Sequence, residues 1–235
     1  MNPPTPSDKE VAGRAAAALV EDGMVLGLGT GSTVDHFFLA LAERIRDEGI
    51  MVRGVPSSRR TAARATELGI PLTDLERDPE PDLVVDGADE VDPELRLVKG
   101  GGGALLREKI LASLGRRVVV VVGEGKMVER LGTSFLLPVE VTPFGHSAVL
   151  KRVAALGRCQ AFLRTADDGQ PFVTDNGNYV LDCRFDRGIR GPAALHARLS
   201  QIPGVVEVGL FLDLCDLVLE GRSDGTVVEH VARKA

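Results

Sequence analysis

From residue 9 to about residue 125, stretches with helical spacing of apolar residues alternate with short runs of Val, Leu and Ile. Parallel strands need crossover connections of helix length, so this alternation predicts a parallel sheet covered by helices. The pattern places helices at 11–20, 33–46 and 60–68, and strands at 24–28, 50–55 and 83–85. Another helix follows the glycines at 100–103, and the run 117–122 carries five consecutive valines, as expected of a strand buried on both faces.

Beyond residue 131 the rhythm changes. A strand at 136–141, a helix at 147–156, two strands flanking the turn Asp175-Asn176-Gly177-Asn178, a helix at 193–202 and a strand at 205–211 give the order β-α-β-β-α-β. That is the split βαβ, ferredoxin-like order. Segments 217–219 and 227–231, joined by the turn Ser223-Asp224-Gly225-Thr226, are placed to return to the first domain as a closing hairpin. The expected fold is therefore α/β: a Rossmann-like parallel sheet with helices on both faces, built from 1–131 and 207–235. A smaller ferredoxin-like α+β domain is expected at 132–206.

Composition changes this picture little. The 235 residues are 44% hydrophobic and 26% charged, which is globular composition and enough chain for a sizeable core. No apolar run reaches the length that crosses a bilayer, so no membrane partner is expected. Residues 1–7 are proline-rich and lack the apolar core of a secretory signal, which predicts a disordered lead-in and a cytoplasmic protein. A net charge of −6 argues against broad binding to nucleic acid, while leaving room for a local basic pocket that holds a small phosphate. Cys159, Cys183 and Cys215 are odd in number and lack metal-type spacing, so reduced thiols are expected.

Candidate chemistry sits in the loops after the strands. Gly27-Leu28-Gly29-Thr30-Gly31-Ser32-Thr33 joins a strand to a helix whose first turn carries hydroxyls. Backbone N–H groups there, with the positive end of the helix dipole, suit an anion. The spacing nearly matches a dinucleotide fingerprint, but the next strand ends at Pro56-Ser57-Ser58 without the acidic residue that would hold a ribose. A P-loop lysine is absent too, and a plain capped turn is the bland alternative. Ser57-Ser58-Arg59-Arg60-Thr61 offers a second anion contact, or merely a helix cap with solvated arginines.

Asp86-Gly87-Ala88-Asp89-Glu90-Val91-Asp92 crowds carboxylates where an apolar strand surfaces. Such a group suits proton transfer, sugar hydroxyls or a magnesium ion, and a solvated acidic loop is the alternative. In Lys99-Gly100-Gly101-Gly102-Gly103, four glycines allow backbone to approach a ligand, and the helix that follows carries Arg107-Glu108-Lys109. Glu108 is the strongest candidate for a general base, Lys99 for a cation facing a developing oxyanion. Either could also be an ordinary charged surface residue. Lys126 follows the valine strand and reaches the same end of the sheet. His36, His146, His196 and His230 show no metal-binding spacing, and no nucleophile elbow occurs.

Taken together, residues 27–33, Asp86-Gly87-Ala88-Asp89-Glu90, Lys99-Gly100-Gly101-Gly102-Gly103 and Arg107-Glu108-Lys109 resemble the ribose-5-phosphate isomerase A family. The resemblance extends through Pro138-Val139-Glu140-Val141, Val173-Thr174-Asp175-Asn176-Gly177-Asn178 and Ile202-Pro203-Gly204-Val205-Val206. It implies interconversion of D-ribose 5-phosphate and D-ribulose 5-phosphate in the non-oxidative pentose phosphate pathway, without cofactor or metal. It also implies a homodimer or homotetramer whose partner is a small pentose phosphate. By resemblance, Glu108 is the base, Lys99 stabilises the enediolate, Asp86 assists ring opening and Asp89 holds sugar hydroxyls. The implied ligand contacts are Thr30, Gly31, Ser32, Thr33, Asp86, Gly87, Ala88, Asp89, Lys99, Gly100, Gly101, Gly102 and Lys126. Pro56-Ser57-Ser58-Arg59-Arg60 departs from the family pattern and bears on phosphate contacts. The rivals are a non-catalytic sugar-phosphate sensor or translation-factor-like subunit built on a related fold, and an amino-sugar phosphate deaminase. The first would not need Glu108, and the second would need a catalytic histidine loop that has no counterpart here.

Overall fold

The computed structural model describes residues 6–232; most of the proline-rich lead, residues 1–5, lies outside them. The chain divides into two units, one of Met1–Ala88, Arg107–Lys126 and Asp213–Ala235, the other of Asp89–Leu106 and Met127–Leu212. The segment expected at 132–206 as a small domain falls within the second unit, which also takes residues 89–106 out of the first half of the chain.

The first unit holds α1 (Asp8–Ala17), β1 (Val25–Leu28), α2 (Ser32–Glu48), β2 (Arg53–Pro56), α3 (Arg59–Glu67) and β3 (Leu83–Gly87). In the second, two short strands follow, β4 (Glu90–Val91) and β5 (Leu97–Val98). Next along the chain come α4 (Leu105–Leu114) and β6 (Val118–Val122). The second unit continues with β7 (Leu137–Val141), α5 (His146–Gly157), β8 (Gln160–Leu163), β9 (Tyr179–Arg184), α6 (Pro192–Ser200), β10 (Val205–Val208) and β11 (Leu210–Phe211). Finally β12 (Leu217–Gly221) and β13 (Val227–Val231) return to the first.

Six strands form the sheet of the first unit in the order β13-β12-β6-β3-β1-β2. All neighbours are parallel except the edge strand β13, which pairs antiparallel with β12. The continuous burial of β1, β6 and β12 follows from coverage on both faces. On one face α1 and α2 join Leu26, Leu28, Val85, Val119 and Val121 in a single core with Phe37, Phe38 and Leu41. On the other, α4 ends at Gly115, where any side chain would collide with Val84.

In the second unit β10-β7-β9-β8 form an antiparallel sheet. Numbered within the motif this is 4-1-3-2, the expected order, but the first of the two middle strands is β8 at Gln160–Leu163 and does not flank the turn at 175–178, beside which Val173 makes a single bridge to Tyr179. The expected strand 205–211 is interrupted. Gly209 donates to Pro138 O at 2.7 Å and accepts from Lys99 N at 2.9 Å, so the chain leaves one sheet there and enters another. That second sheet, β11-β5-β4, is the element the periodicity could not reveal, since each strand has only two residues.

The cysteines form no disulfide among the described residues. A hydrogen bond between Cys159 and Cys183 lowers the Cys159 thiol pKa and, with burial, raises that of Cys183.

Glu90, wholly buried on β4, ties this small sheet to the loop after Leu131 by accepting from the backbone N–H groups of Gly132, Ser134 and Phe135. Glu90→Gln keeps the shape but removes the charge and turns an amide group toward backbone donors. It is expected to cost about 2–3 kcal/mol, because a buried donor left unsatisfied loses its full solvation; urea denaturation of the variant beside the parent chain measures it.

Candidate functional site

In an open α/β sheet, loops at the carboxyl ends of the strands gather where the strand order reverses. Here that point lies between β1 and β3, which run on into the loops at 29–31 and 88. Gly29 is required by close approach. A Cβ there would sit 2.2 Å from Asp86 Oδ1, and no neighbouring atom can yield that much. With no side chain in the way, Asp86 Oδ1 accepts from Thr30 N at 3.1 Å and Gly87 N at 2.7 Å, although the residue is only 4% exposed. A buried carboxylate held by backbone donors is pinned in place and kept ready to act as an acceptor.

The neighbouring helix start is open. Ser7 caps α1 and Ser58 caps α3, but α2 begins behind Gly31, at φ 145°, with no side-chain cap. Its first N–H groups and dipole are left for an anion. Thr30 Oγ1 lies 2.8 Å from Ser57 Oγ, 3.0 Å from Ser58 Oγ and 2.9 Å from Thr61 Oγ1. Thr61 Oγ1 donates in turn to Gly29 O at 2.8 Å. Ser57, Ser58 and Thr61 are buried, and beyond the expected cap of α3 by Ser58 these hydroxyls lock the loop after β1 from beneath. Arg59 and Arg60 are exposed, and Arg60 pairs with Asp35 at 3.4 Å.

Sequence reasoning missed one cation. Lys9, on α1, places Nζ 3.0 Å from Ser32 Oγ, at the mouth of the same loop. Its only sequence signal is a lysine at the start of an amphipathic helix, 23 residues from its partner.

Glu108 stands in the first turn of α4 and is 3% exposed, while Lys126 is half-buried beyond β6. With Thr30, Gly31, Ser32, Thr33, Asp86, Gly87 and Ala88, they belong to the first unit.

The other predicted residues, Asp89, Lys99, Gly100, Gly101 and Gly102, belong to the second. Asp89 Oδ2 accepts from Gly101 N at 2.9 Å. Lys99 is 4% exposed and holds its ammonium 5.4 Å from the centre of the Phe211 ring, within cation–π range.

The acidic loop does not act as one cluster. Glu90 is taken by backbone amides, as described, and Asp92 by Arg96 through Nε at 2.7 Å and the Arg96 backbone N–H at 3.0 Å. Among the described residues no group of three His, Cys, Asp or Glu side chains is arranged to hold a metal ion.

Residues 53–225 match the family model for ribose 5-phosphate isomerase A (phosphoriboisomerase A). Ribose-5-phosphate isomerase A from Roseiflexus sp. (strain RS-1) is 52% identical over 212 residues, covering 90% of each chain. The solved ribose 5-phosphate isomerase A of Methanocaldococcus jannaschii superposes with a TM-score of 0.89 at 39% identity, over 95% of this chain and 97% of that one. A D-ribose-5-phosphate isomerase solved in complex with phospho-erythronic acid gives 0.91 at 38% identity, over 96% and 97%.

Lys9→Ala is expected to weaken binding of inorganic phosphate about tenfold, equivalent to about 1.4 kcal/mol. Calorimetric titration checks it, and the loss should shrink at high salt as the exposed charge is screened.

Proposed function

Because the chain belongs to the ribose-5-phosphate isomerase A family and is an aldose–ketose isomerase, we propose that Glu108 carries the proton as D-ribose 5-phosphate and D-ribulose 5-phosphate interconvert. The observation that carries the reaction is 52% identity over nine-tenths of the chain to a ribose-5-phosphate isomerase A. What supports Glu108 as base is its burial in the first turn of a helix, where a carboxylate is held rigidly.

The 5-phosphate binds at the uncapped start of α2, on the amides of Gly31, Ser32 and Thr33 and the hydroxyls of Ser32 and Thr33, with Thr30 orienting the loop. Lys9 adds positive charge, and Lys126 supplies a second cation to the substrate. Asp86, fixed by two backbone N–H groups, takes the C1 hydroxyl proton as the C1–O4 bond of the furanose breaks and passes it to O4, leaving the open chain with its C1 aldehyde. Gly87 and Ala88 keep the backbone beside it within reach of the sugar, and Asp89 accepts from the sugar hydroxyls.

Glu108 then removes the proton from C2, and the electron pair of that C–H bond becomes the C1–C2 double bond of an enediolate. The charge collects on oxygen beside Lys99 and the N–H groups of the 100–102 loop, Gly100, Gly101 and Gly102, which stabilise it where it develops. The proton of the C2 hydroxyl passes to the C1 oxygen, Glu108 returns its own proton to C1, the C2 oxygen becomes a carbonyl, and the ketose is complete. Neither cofactor nor metal takes part in these steps. A phospho-erythronic acid carries a carboxylate and a phosphate on one short chain, so it should compete with the pentose phosphate here as well.

The same reading makes the protein a cytoplasmic enzyme of the pentose phosphate pathway, since a phosphorylated sugar does not cross a bilayer unaided. It also makes it a homodimer or a homotetramer; light scattering should find two or four times the 25.0 kDa chain mass.

Proton NMR of ribose 5-phosphate with the enzyme in deuterated water plus a chelator tests the chemistry. Ketose should appear with solvent deuterium at the transferred position, and Glu108→Gln should lower kcat by about 10³-fold, the scale of a lost general base. Wild-type turnover by Glu108→Gln removes Glu108 from the role, and turnover that appears only on adding a divalent cation overturns the metal-free mechanism.

A further inference from the structure

Arg164 follows β8 and makes more specific contacts than any surface arginine needs. Its backbone is fixed on both sides, donating from N to Val180 O at 2.8 Å and accepting at O from Phe172 N at 2.9 Å. Its side chain is 14% exposed. Nε and Nη2 grip Asp182 in a two-point fork, at 2.9 and 2.6 Å. Nη1 then donates to Gly100 O and Gly101 O, both at 3.0 Å. The guanidinium also lies 5.6 Å from the centre of the Phe172 ring. Phe172 in turn abuts Gly103, at φ 79°, where a Cβ would fall 2.4 Å from the ring.

The consequence follows from peptide geometry. In a trans peptide the C=O of one residue and the N–H of the next point in opposite directions. Drawing the carbonyls of Gly100 and Gly101 toward one guanidinium therefore turns the N–H groups of Gly101 and Gly102 the other way. The first of these already meets Asp89 Oδ2, at 2.9 Å, and so orients that carboxylate. A guanidinium on both carbonyls also polarises the two peptides and strengthens their N–H groups as donors. The loop has one turn bond of its own, from Gly103 N–H to Gly100 O at 3.0 Å, but four glycines in succession have no conformational preference that would hold the two amides between them unaided.

We propose that Arg164, locked by Asp182, is a positioning residue for the isomerisation: it sets the glycine loop so that the Gly102 N–H and Asp89 meet the substrate. The inference rests on the reading of residues 99–102 as the enediolate-binding loop. Lysine cannot substitute. A guanidinium spreads its five donors in a rigid fork, two on Asp182 and two on the carbonyls, whereas an ammonium gathers three donors on one atom.

The test uses the full chain and measures kcat and KM for ribose 5-phosphate alongside melting temperature. Arg164→Lys should fold and melt close to the parent, hold KM and lose kcat by about 100-fold, the cost of a misplacement near 1 Å. Arg164→Ala should regain part of its kcat when guanidinium ion is added, with no change in the folded fraction. Should neither variant fold, Asp182→Asn keeps the arginine while loosening its anchor, and should lower kcat with KM held. Wild-type kcat in a folded Arg164→Lys, or losses that only track the unfolded fraction, overturn the inference. Lys99→Ala separates the two claims: if it turns over like the parent, the loop reading itself fails. If it is inactive while Arg164→Lys is not, only the role of Arg164 fails.

Discussion

A carboxylate can end a buried parallel strand only where backbone N–H groups meet it, and the site of the first unit is built around that constraint at Asp86. Two amides satisfy one of its oxygens, and one of them belongs to the anion loop itself. The loop can come that close only because Gly29 has no side chain. Once Thr30 is held there, its hydroxyl becomes the meeting point of Ser57, Ser58 and Thr61, and the start of α2 is left open to solvent. An open helix start and a fixed carboxylate are thus two results of one backbone path.

The second unit solves the same problem differently. Its glycine loop has no strand or helix to fix it; Gly103 N–H closes a turn on Gly100 O at 3.0 Å, which leaves the amides of Gly101 and Gly102 to be fixed. Fixation comes from outside the loop, through Asp89 on the donor side and Arg164 on the acceptor side. Glu90 and Asp92, neighbours of Asp89 in sequence, do structural work instead, tying short strands and loops together. Charge crowding that is costly in isolation is tolerated because each carboxylate has its own set of donors.

This division explains what the sequence could reveal. The long elements announced themselves: five valines in β6, the helical period of α2 and the β-α-β-β-α-β order of the second unit are signals from burial, and burial decides most of a fold. The two-residue strands β4, β5 and β11 are too short for any period, so the strand expected to run through 205–211 was drawn without its break at Gly209. Among the acidic residues, composition could not distinguish Asp86 from Glu90 or Asp92, because the difference lies in which amides lie within reach. Lys9 and Arg164 were invisible for a related reason: their partners stand 23 and 63 residues away, and a lone cation carries no local signature of a distant partner.

The residues easiest to find were those whose type was itself improbable. A run of four glycines, or a carboxylate at the end of an apolar strand, conflicts with local stability, and such conflicts mark function. Lys9, Ser57, Thr61 and Arg164 conflict with nothing; each is an ordinary residue in an ordinary element. Their importance comes from the irregular segments they hold, which cannot hold themselves. An improbable loop therefore implies supports elsewhere in the chain, and the hydrogen-bond accounting of its backbone is the way to find them. The carbonyls of Gly100 and Gly101 are held by Arg164, and Arg164 by Asp182, neither of which any motif would single out.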